Sequence, residues 1–495
     1  MHMQTRVQTN VIVNIIRTVT MTILSFVTFP FVCRVLGAES LGLYSWATAF
    51  VYYFLILARI SIPNIAVREC TKVKNNPDKL SQKVHEFFIL QSITTLLSFG
   101  LMVAIIFMVP TLSDSKNLLF IISLNFLAGV LSFEWLYTAL EKQIYMAIRS
   151  ILIATIVDIL IFAFIKQPEH VYLYAFLCIL TTLLTVISNL IYLPSIYRIK
   201  KVNKLDFKQY IPLLGTLFLI SLAAAIYDKT DTFILGFIDP SKAAVGSYSV
   251  GMKGVEIVIG LITSLSTVFI PKATEYYTKR DERQFKNLNK YAMNVCLIIV
   301  IPAIALLISL ATPITTLISG LNGGYKDTNY VLIALASLML TFTASNIIYT
   351  QILIPQKREK LYMFTIFGGT LLNIGLSFLF ALVFMKDNPA LGVAIGTSIT
   401  DLLILITLFI LTWNDSKTLL LNINNIKIIV MGLIIGLLSG FTSPLLINVF
   451  TTSLGVELAY LTTITIMIVG SLIIYLIGLY LLKEKLLLST RKREA

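Results

Sequence analysis

Apolar runs of about twenty residues follow one another along almost the whole chain, and polar residues collect in the gaps between them. A helix needs roughly 20 apolar residues to cross the hydrocarbon core of a bilayer. The pattern therefore predicts membrane-crossing helices at 9–32, 43–65, 86–109, 118–138, 143–165, 171–193, 211–237, 243–270, 291–311, 329–354, 361–384, 390–412, 427–448 and 458–482. Pro212, Gly215 and Pro302 fall inside runs without vetoing them, because neighbouring helices re-satisfy a broken backbone. The first run outlasts a signal sequence and holds Asn14 and Arg17 in its interior, so it is expected to be retained as a helix.

Composition agrees with this. The chain has 495 residues, 57% hydrophobic and 13% charged, and its mean hydropathy is +0.87. A soluble domain would have to expose that excess to water. The net charge of +14 suggests nucleic acid until its distribution is read. With the N-terminus inside, 29 of the 39 Lys and Arg fall in inward-facing segments, Arg149 among them, and six in outward-facing ones. The positive-inside rule then places both termini in the cytoplasm. The basic loops set topology and face lipid headgroups, and nucleic acid is not expected as a partner. Cys33, Cys70, Cys178 and Cys296 lack metal-ligand spacing and are expected as free thiols.

The second half echoes the first. Leu36-Gly37 and Gly42-Leu43-Tyr44-Ser45 recur as Leu235-Gly236 and Gly246-Ser247-Tyr248-Ser249. Ile62-Pro63 recurs as Ile270-Pro271, and Tyr145-Met146 as Tyr362-Met363. The offset spans six helices, an even number, so the copies keep one orientation, as in parallel repeats with a site between them. The expected division is an N-lobe at 1–193, a cytoplasmic linker at 194–210, a C-lobe at 211–412, and two further helices with a basic tail at 413–495.

With Phe29-Pro30-Phe31-Val32-Cys33-Arg34-Val35-Leu36-Gly37, Arg68-Glu69 and Asp231…Ile234-Leu235-Gly236, the chain resembles the multidrug/oligosaccharidyl-lipid/polysaccharide exporter (MOP) superfamily. More narrowly it resembles the polysaccharide transporter branch, the Wzx-type flippases. The resemblance implies an all-α fold of fourteen transmembrane helices, with two six-helix lobes in a V and two C-terminal helices. It also implies movement of undecaprenyl-pyrophosphate-linked oligosaccharides to the outer leaflet of a bacterial plasma membrane, for capsule, exopolysaccharide or cell-wall polymer export. The implied protein is a transporter rather than an enzyme. It works as a monomer among membrane lipids, alongside polymerase or export proteins. A lipid II flippase and a multidrug exporter share the plan, and a membrane-embedded polymerase is the alternative of another class.

Charges inside the runs carry the chemistry, since each costs at least about 2.5–3.5 kcal/mol at a helix centre and so avoids lipid. Arg17 is the leading candidate for a pyrophosphate, which needs fixed positive charge and matches the guanidinium fork. Asn10, Asn14 and Thr28 fall near the same helical face. A structural ion pair is the alternative. Arg59, Lys229 and Lys253 are further candidates, with snorkelling or pairing as the bland readings. Lys253 and Glu256 at i, i+3 read as a pair that phosphate opens, freeing Glu256 for a proton. Asp228 and Asp231 share a face, which favours a bound cation or shared proton, with pairing to Lys229 as the alternative. Glu134 and Asp158 are expected to pair with each other. By helix position alone, the resemblance implies a sodium site from Asp231, Asn373, Thr397 and Asp401. No other cofactor is expected, and sodium or a proton would be the coupling ion. Gly432, Gly436 and Gly440 predict close helix packing.

Overall fold

The apolar runs become helices in the computed structural model, which describes residues 2–197, 205–321, 323–420 and 422–482. The helices are α1 (His2–Arg59), α2 (Ile62–Val73), α3 (Pro77–Met108), α4 (Lys116–Ser123), α5 (Asn125–Leu131), α6 (Glu134–Ala139), α7 (Gln143–Phe164), α8 (Val171–Ile196) and α9 (Ile211–Ile238). They continue as α10 (Ala243–Val268), α11 (Ile270–Thr278), α12 (Glu282–Ser309), α13 (Ala311–Ser319), α14 (Thr328–Ile348), α15 (Glu359–Leu379), α16 (Pro389–Leu411), α17 (Trp413–Leu420), α18 (Ile423–Leu454) and α19 (Val456–Leu481). Single π-helical turns extend α14 over Tyr349–Leu353 and α15 over Phe380–Phe384. Among the described residues there is no strand, and twelve helical segments are long and apolar enough to cross a membrane.

The predicted runs 9–32 and 43–65 join in one helical course, α1, which bends at Gly37 (φ 72°, ψ 177°). That φ is open to glycine and costly to other residues. The predicted helix 118–138 is instead three short pieces: Phe133 takes a left-handed conformation (φ 49°) between α5 and α6, while Leu124 between α4 and α5 stays right-handed (φ −56°).

The outer faces are apolar: Leu96 and Ile191 are 72% and 74% exposed. Water would not tolerate such a surface, whereas hydrocarbon does. The chain separates into two compact units, residues 1–229 and 230–495. Each has the same local order of a long helix followed by a short Ile-Pro helix, α2 in the first unit and α11 in the second. The expected linker 194–210 lies partly outside the described residues, at 198–204, as does the basic tail from 483.

The visible end of the linker is held onto α3 of the first unit. Glu86 has no exposed surface. It accepts hydrogen bonds from Tyr210 Oη at 2.5 Å, Asp206 N at 3.0 Å, Gln82 Nε2 at 2.9 Å and Lys83 Nζ at 3.2 Å. Beneath it, Phe87 packs 4.7 Å from the Tyr210 ring and 6.1 Å from Trp135. The sequence presents Glu86 only as the first residue of an apolar run.

Gly432 and Gly436 seat α18 on α12, where a Cβ would meet Ile301 and Ala305, while Gly440 has nothing within 4 Å. The contact between α18 and α19 rests instead on Gly478 against Met431 and on Ser439 bonded to Ser471 at 2.9 Å.

Candidate functional site

A buried polar cluster in the second unit gathers three of the predicted residues from different helices. Asp231, on α9, is 8% exposed. Its Oδ2 accepts hydrogen bonds from Tyr248 Oη on α10 and from Thr397 Oγ1 on α16, the latter at 2.8 Å. Asn373, on α15, donates from Nδ2 to Thr397 Oγ1 at 2.9 Å. Thr397 also lies 3.1 Å from the Val393 carbonyl, so its single proton has two competing acceptors.

Glycine makes this convergence possible. Gly392 and Gly396 lie one turn apart on α16 and face the backbone of α15 and its π turn. A Cβ at Gly392 would come within 2.8 Å of Ala381, and one at Gly396 within 3.0 Å of Ser377 N. The close approach brings Asn373 and, one turn on, Ser377 up to Thr397. Gly396→Leu is expected to push the two helices apart, destabilise the protein by about 1–3 kcal/mol and remove transport. Thermal unfolding in detergent alongside a flux assay checks both.

Two oxygens here, Asn373 Oδ1 and Ser377 Oγ, are buried and accept or donate no hydrogen bond among the described residues. Buried polar atoms are normally satisfied, so orphans call for an explanation. With Asp231 and Thr397 they offer oxygen atoms only, the chemistry that suits a hard cation. The residues present fit a sodium ion. Asp401, the fourth predicted donor, is buried one turn beyond Thr397 on α16. Ser377 and Tyr248 were missed as site residues. Ser377 lies four positions after Asn373, on the same helical face, and Tyr248 stands in the repeated Gly-x-Tyr-Ser motif, so a signal existed for each.

Asp228 does not share the environment of Asp231. It is half-exposed and pairs with Lys229 at 3.2 Å, and that ammonium also lies 5.8 Å from the Tyr52 ring centroid. Pairing with Lys229, the alternative reading, is the one that forms. Lys253 pairs with Glu256 at 3.1 Å, both partly exposed. Arg17 is half-buried in α1, and among the described residues it makes no ion pair or side-chain hydrogen bond. Asn14 is exposed beside it. The side chain of Asn10 lies outside the described residues. Thr28 leaves the expected polar stripe: it is buried and hydrogen-bonds Asp158. Arg59 is exposed at the end of α1.

Glu134 and Asp158 do not pair with each other. Glu134 bonds Arg149 at 2.7 Å, and a cation is the better partner for a carboxylate than a second acid. Arg149, expected at an inward-facing segment, is instead 6% exposed inside α7. The four cysteines form no disulfide.

Known proteins resemble this chain at several levels. A family profile described as polysaccharide biosynthesis protein matches residues 7–277, and one described as MatE matches residues 212–379. The protein named "Putative O-antigen transporter" from Escherichia coli (strain K12) is 20% identical over 374 residues, covering 74% of this chain and 88% of that protein. Among solved structures, the lipid II flippase MurJ in an inward closed conformation aligns with a TM-score of 0.69 at 20% identity, over 95% of this chain and 99% of its own. An inward-facing multidrug resistance MATE family transporter of the MOP superfamily aligns with a TM-score of 0.61 at 14% identity, over 81% and 94%. At these identities the structural likeness establishes a fold.

Proposed function

This chain belongs to the polysaccharide biosynthesis protein family within the MOP superfamily, and on that premise we propose that it flips undecaprenyl-pyrophosphate-linked oligosaccharide units from the inner to the outer leaflet by alternating access. It is a multi-pass inner-membrane protein. Fourteen crossings with both termini in the cytoplasm complete the reading, supported by the 28 Lys and Arg that remain in the predicted inward-facing segments once the buried Arg149 is set aside, against six in outward-facing ones. It acts as a transporter, not as a polymerase.

The observation that carries the reading is Arg17. A guanidinium in an apolar helix with no counter-ion among the described residues is costly unless water or an anion meets it. A lipid-linked diphosphate is such an anion, and the Arg fork matches its oxygens. Asn14 adds a donor nearby, and Arg59, Lys229 and Lys253 supply further cations. Lys229 and Lys253 each hold a partly exposed carboxylate that a diphosphate would displace. Asp231, Asn373, Ser377 and Thr397 would hold a sodium ion, whose charge stabilises an ionised Asp231 away from water. Glu256, once released from Lys253, is the candidate for a proton.

Arg17→Ala is expected to reduce flipping by about 10-fold to 100-fold, the equivalent of one lost charge-assisted contact of about 1.5–3 kcal/mol. Proteoliposomes loaded with a defined undecaprenyl-pyrophosphate oligosaccharide measure this, with protein abundance in the membrane as the control. Wild-type flux in the variant would remove Arg17 from the site. Preference for lipid II over other glycans in the same assay would identify the rival pathway.

A further inference from the structure

The first unit contains a buried charge that the proposed function leaves unused. Arg149 donates to Glu134 Oε1 at 2.7 Å and to Asn189 Oδ1. Its Nε is buried with no hydrogen-bond partner among the described residues. Its guanidinium carbon lies 5.8 Å from the Tyr145 ring centroid. Asn189 is itself fixed, donating to the Ser132 carbonyl at 2.5 Å.

Glu134 is the open side of this pair, with 44% of its side chain exposed. It follows Phe133, held at φ 49°, where a bulky residue is a backbone outlier. Such outliers persist where the surroundings over-determine them, and they concentrate at functional sites. A carboxylate exposed to this degree within a membrane segment faces water and not hydrocarbon.

Three tyrosines stack beside the pair. Ring centroids lie 5.4 Å apart for Tyr137 and Tyr145 and 4.3 Å apart for Tyr145 and Tyr192, with interplanar angles of 25° and 29°. The hydroxyls of Tyr137 and Tyr145 donate to the carbonyls of Asn189 and Ser188 at 2.5 Å and 2.8 Å, which locks both rings. Tyr137 is buried, while Tyr145 and Tyr192 keep part of their surface accessible.

These features select one kind of ligand. Glu134 already neutralises Arg149, so an anion gains little here. A carboxylate fixed from behind and open in front accepts hydrogen bonds from hydroxyl groups. Tyr192, stacked on the locked Tyr145 ring and partly accessible, offers an apolar face to the C–H side of a pyranose. We propose that Glu134, with Tyr145 and Tyr192, forms a sugar subsite that recognises hydroxyls of a neutral residue in the transported glycan. Arg149 is its positioning residue. This rests on the flippase reading and assigns it a glycan contact separate from the diphosphate contacts.

Equilibrium binding to the full-length protein in nanodiscs tests it with two probes: undecaprenyl pyrophosphate bearing a defined neutral oligosaccharide, and undecaprenyl pyrophosphate without sugar. Wild-type protein is expected to bind the glycan-bearing probe more tightly. Glu134→Gln is expected to weaken that probe about tenfold, the loss of a hydrogen bond to a charged group, and to change the sugar-free probe less than about twofold. The double variant Glu134→Arg, Arg149→Glu restores an ion pair but buries the carboxylate, and it is expected to remain weak. Equal weakening of both probes by Glu134→Gln, no weakening of either, or full recovery in the double variant would make the pair a structural brace and overturn the proposal. Equal wild-type affinity for the two probes would also overturn it. If wild-type protein binds neither probe, the flippase reading fails and the subsite falls with it. If it binds only the sugar-free probe, the subsite alone fails.

Discussion

Asp231→Asn is expected to cut ion-driven flux by about two orders of magnitude while the protein stays folded. The carboxylate is 8% exposed and accepts from Tyr248 and Thr397. An amide of the same shape keeps an acceptor for one or both hydroxyls, so packing survives. What disappears is the only formal negative charge among the oxygens of Asp231, Asn373, Ser377 and Thr397. A hydrogen bond or contact involving a charged group contributes about 1.5–3 kcal/mol, and 1.4 kcal/mol is a factor of ten. Flux measured separately under a sodium gradient and a proton gradient distinguishes the two couplings. A binding isotherm with radioactive sodium reports on the cluster without any transport step. Loss of sodium binding in Asp231→Asn together with loss of sodium-driven flux assigns the coupling ion. Unchanged flux under both gradients would show that the cluster only braces α9 against α16. Ser377→Ala removes an orphaned oxygen instead of a charge and should weaken sodium binding more mildly.

Glu86→Ala is expected to cost about 3–5 kcal/mol of stability, the range for breaking a buried charge pair from one side. Four donors lose their acceptor together; Lys83, 15% exposed, and the part-exposed Gln82 can turn towards water. Tyr210 is 3% exposed and cannot. Glu86→Gln keeps an acceptor for Tyr210 and should lose about half as much. Trp135 packs 6.1 Å from Phe87 and gives a fluorescence signal for unfolding in detergent. The same bonds give the latch a pH limit. Burial, and then the hydrogen bond to Glu86, hold the Tyr210 phenol above its ordinary value of 10.0. A proton retained more tightly in the folded state adds stability in full below pH 10, and that stability is lost as pH rises through the higher folded value. Wild-type protein should therefore lose stability in alkaline buffer faster than Tyr210→Phe, which has no proton to lose. Identical alkaline profiles would remove Tyr210 from the latch.

The membrane-embedded, all-helical character of this chain was legible without coordinates. Hydrocarbon allows few polar residues on a crossing helix and satisfies none of its backbone, so twenty-residue apolar runs have one stable form. The repeat was legible for a related reason: Ile62-Pro63 and Ile270-Pro271 start short helices in both halves, and proline at a first turn marks them. The cation donors were partly legible. Asp231 stood out as a charge inside an apolar run, which hydrocarbon would exclude without a partner, whereas Asn373 and Thr397 came only from helix position in the family that the chain resembles. Ser377 carried a weaker signal, its position four residues after Asn373, because a lone serine in an apolar helix is common and does not by itself mark a site.

Sequence alone determined which residues had to avoid lipid. Only the tertiary structure decided which of them met. Arg149 reads as a loop cation until α7 buries it against Glu134 and Asn189, and Glu86 reads as a helix end until the chain returns at Asp206 and Tyr210. The reason is distance along the chain. Helical periodicity places a side chain on a face within a few residues, whereas the partner of Glu86 lies 124 positions away and that of Asp231 lies 166 positions away. A single chain read in order contains no term that couples such positions, and only folding joins them; for Asn373 and Thr397 it does so where Gly396 lets the backbones of α15 and α16 approach closely enough for a hydrogen bond to reach across.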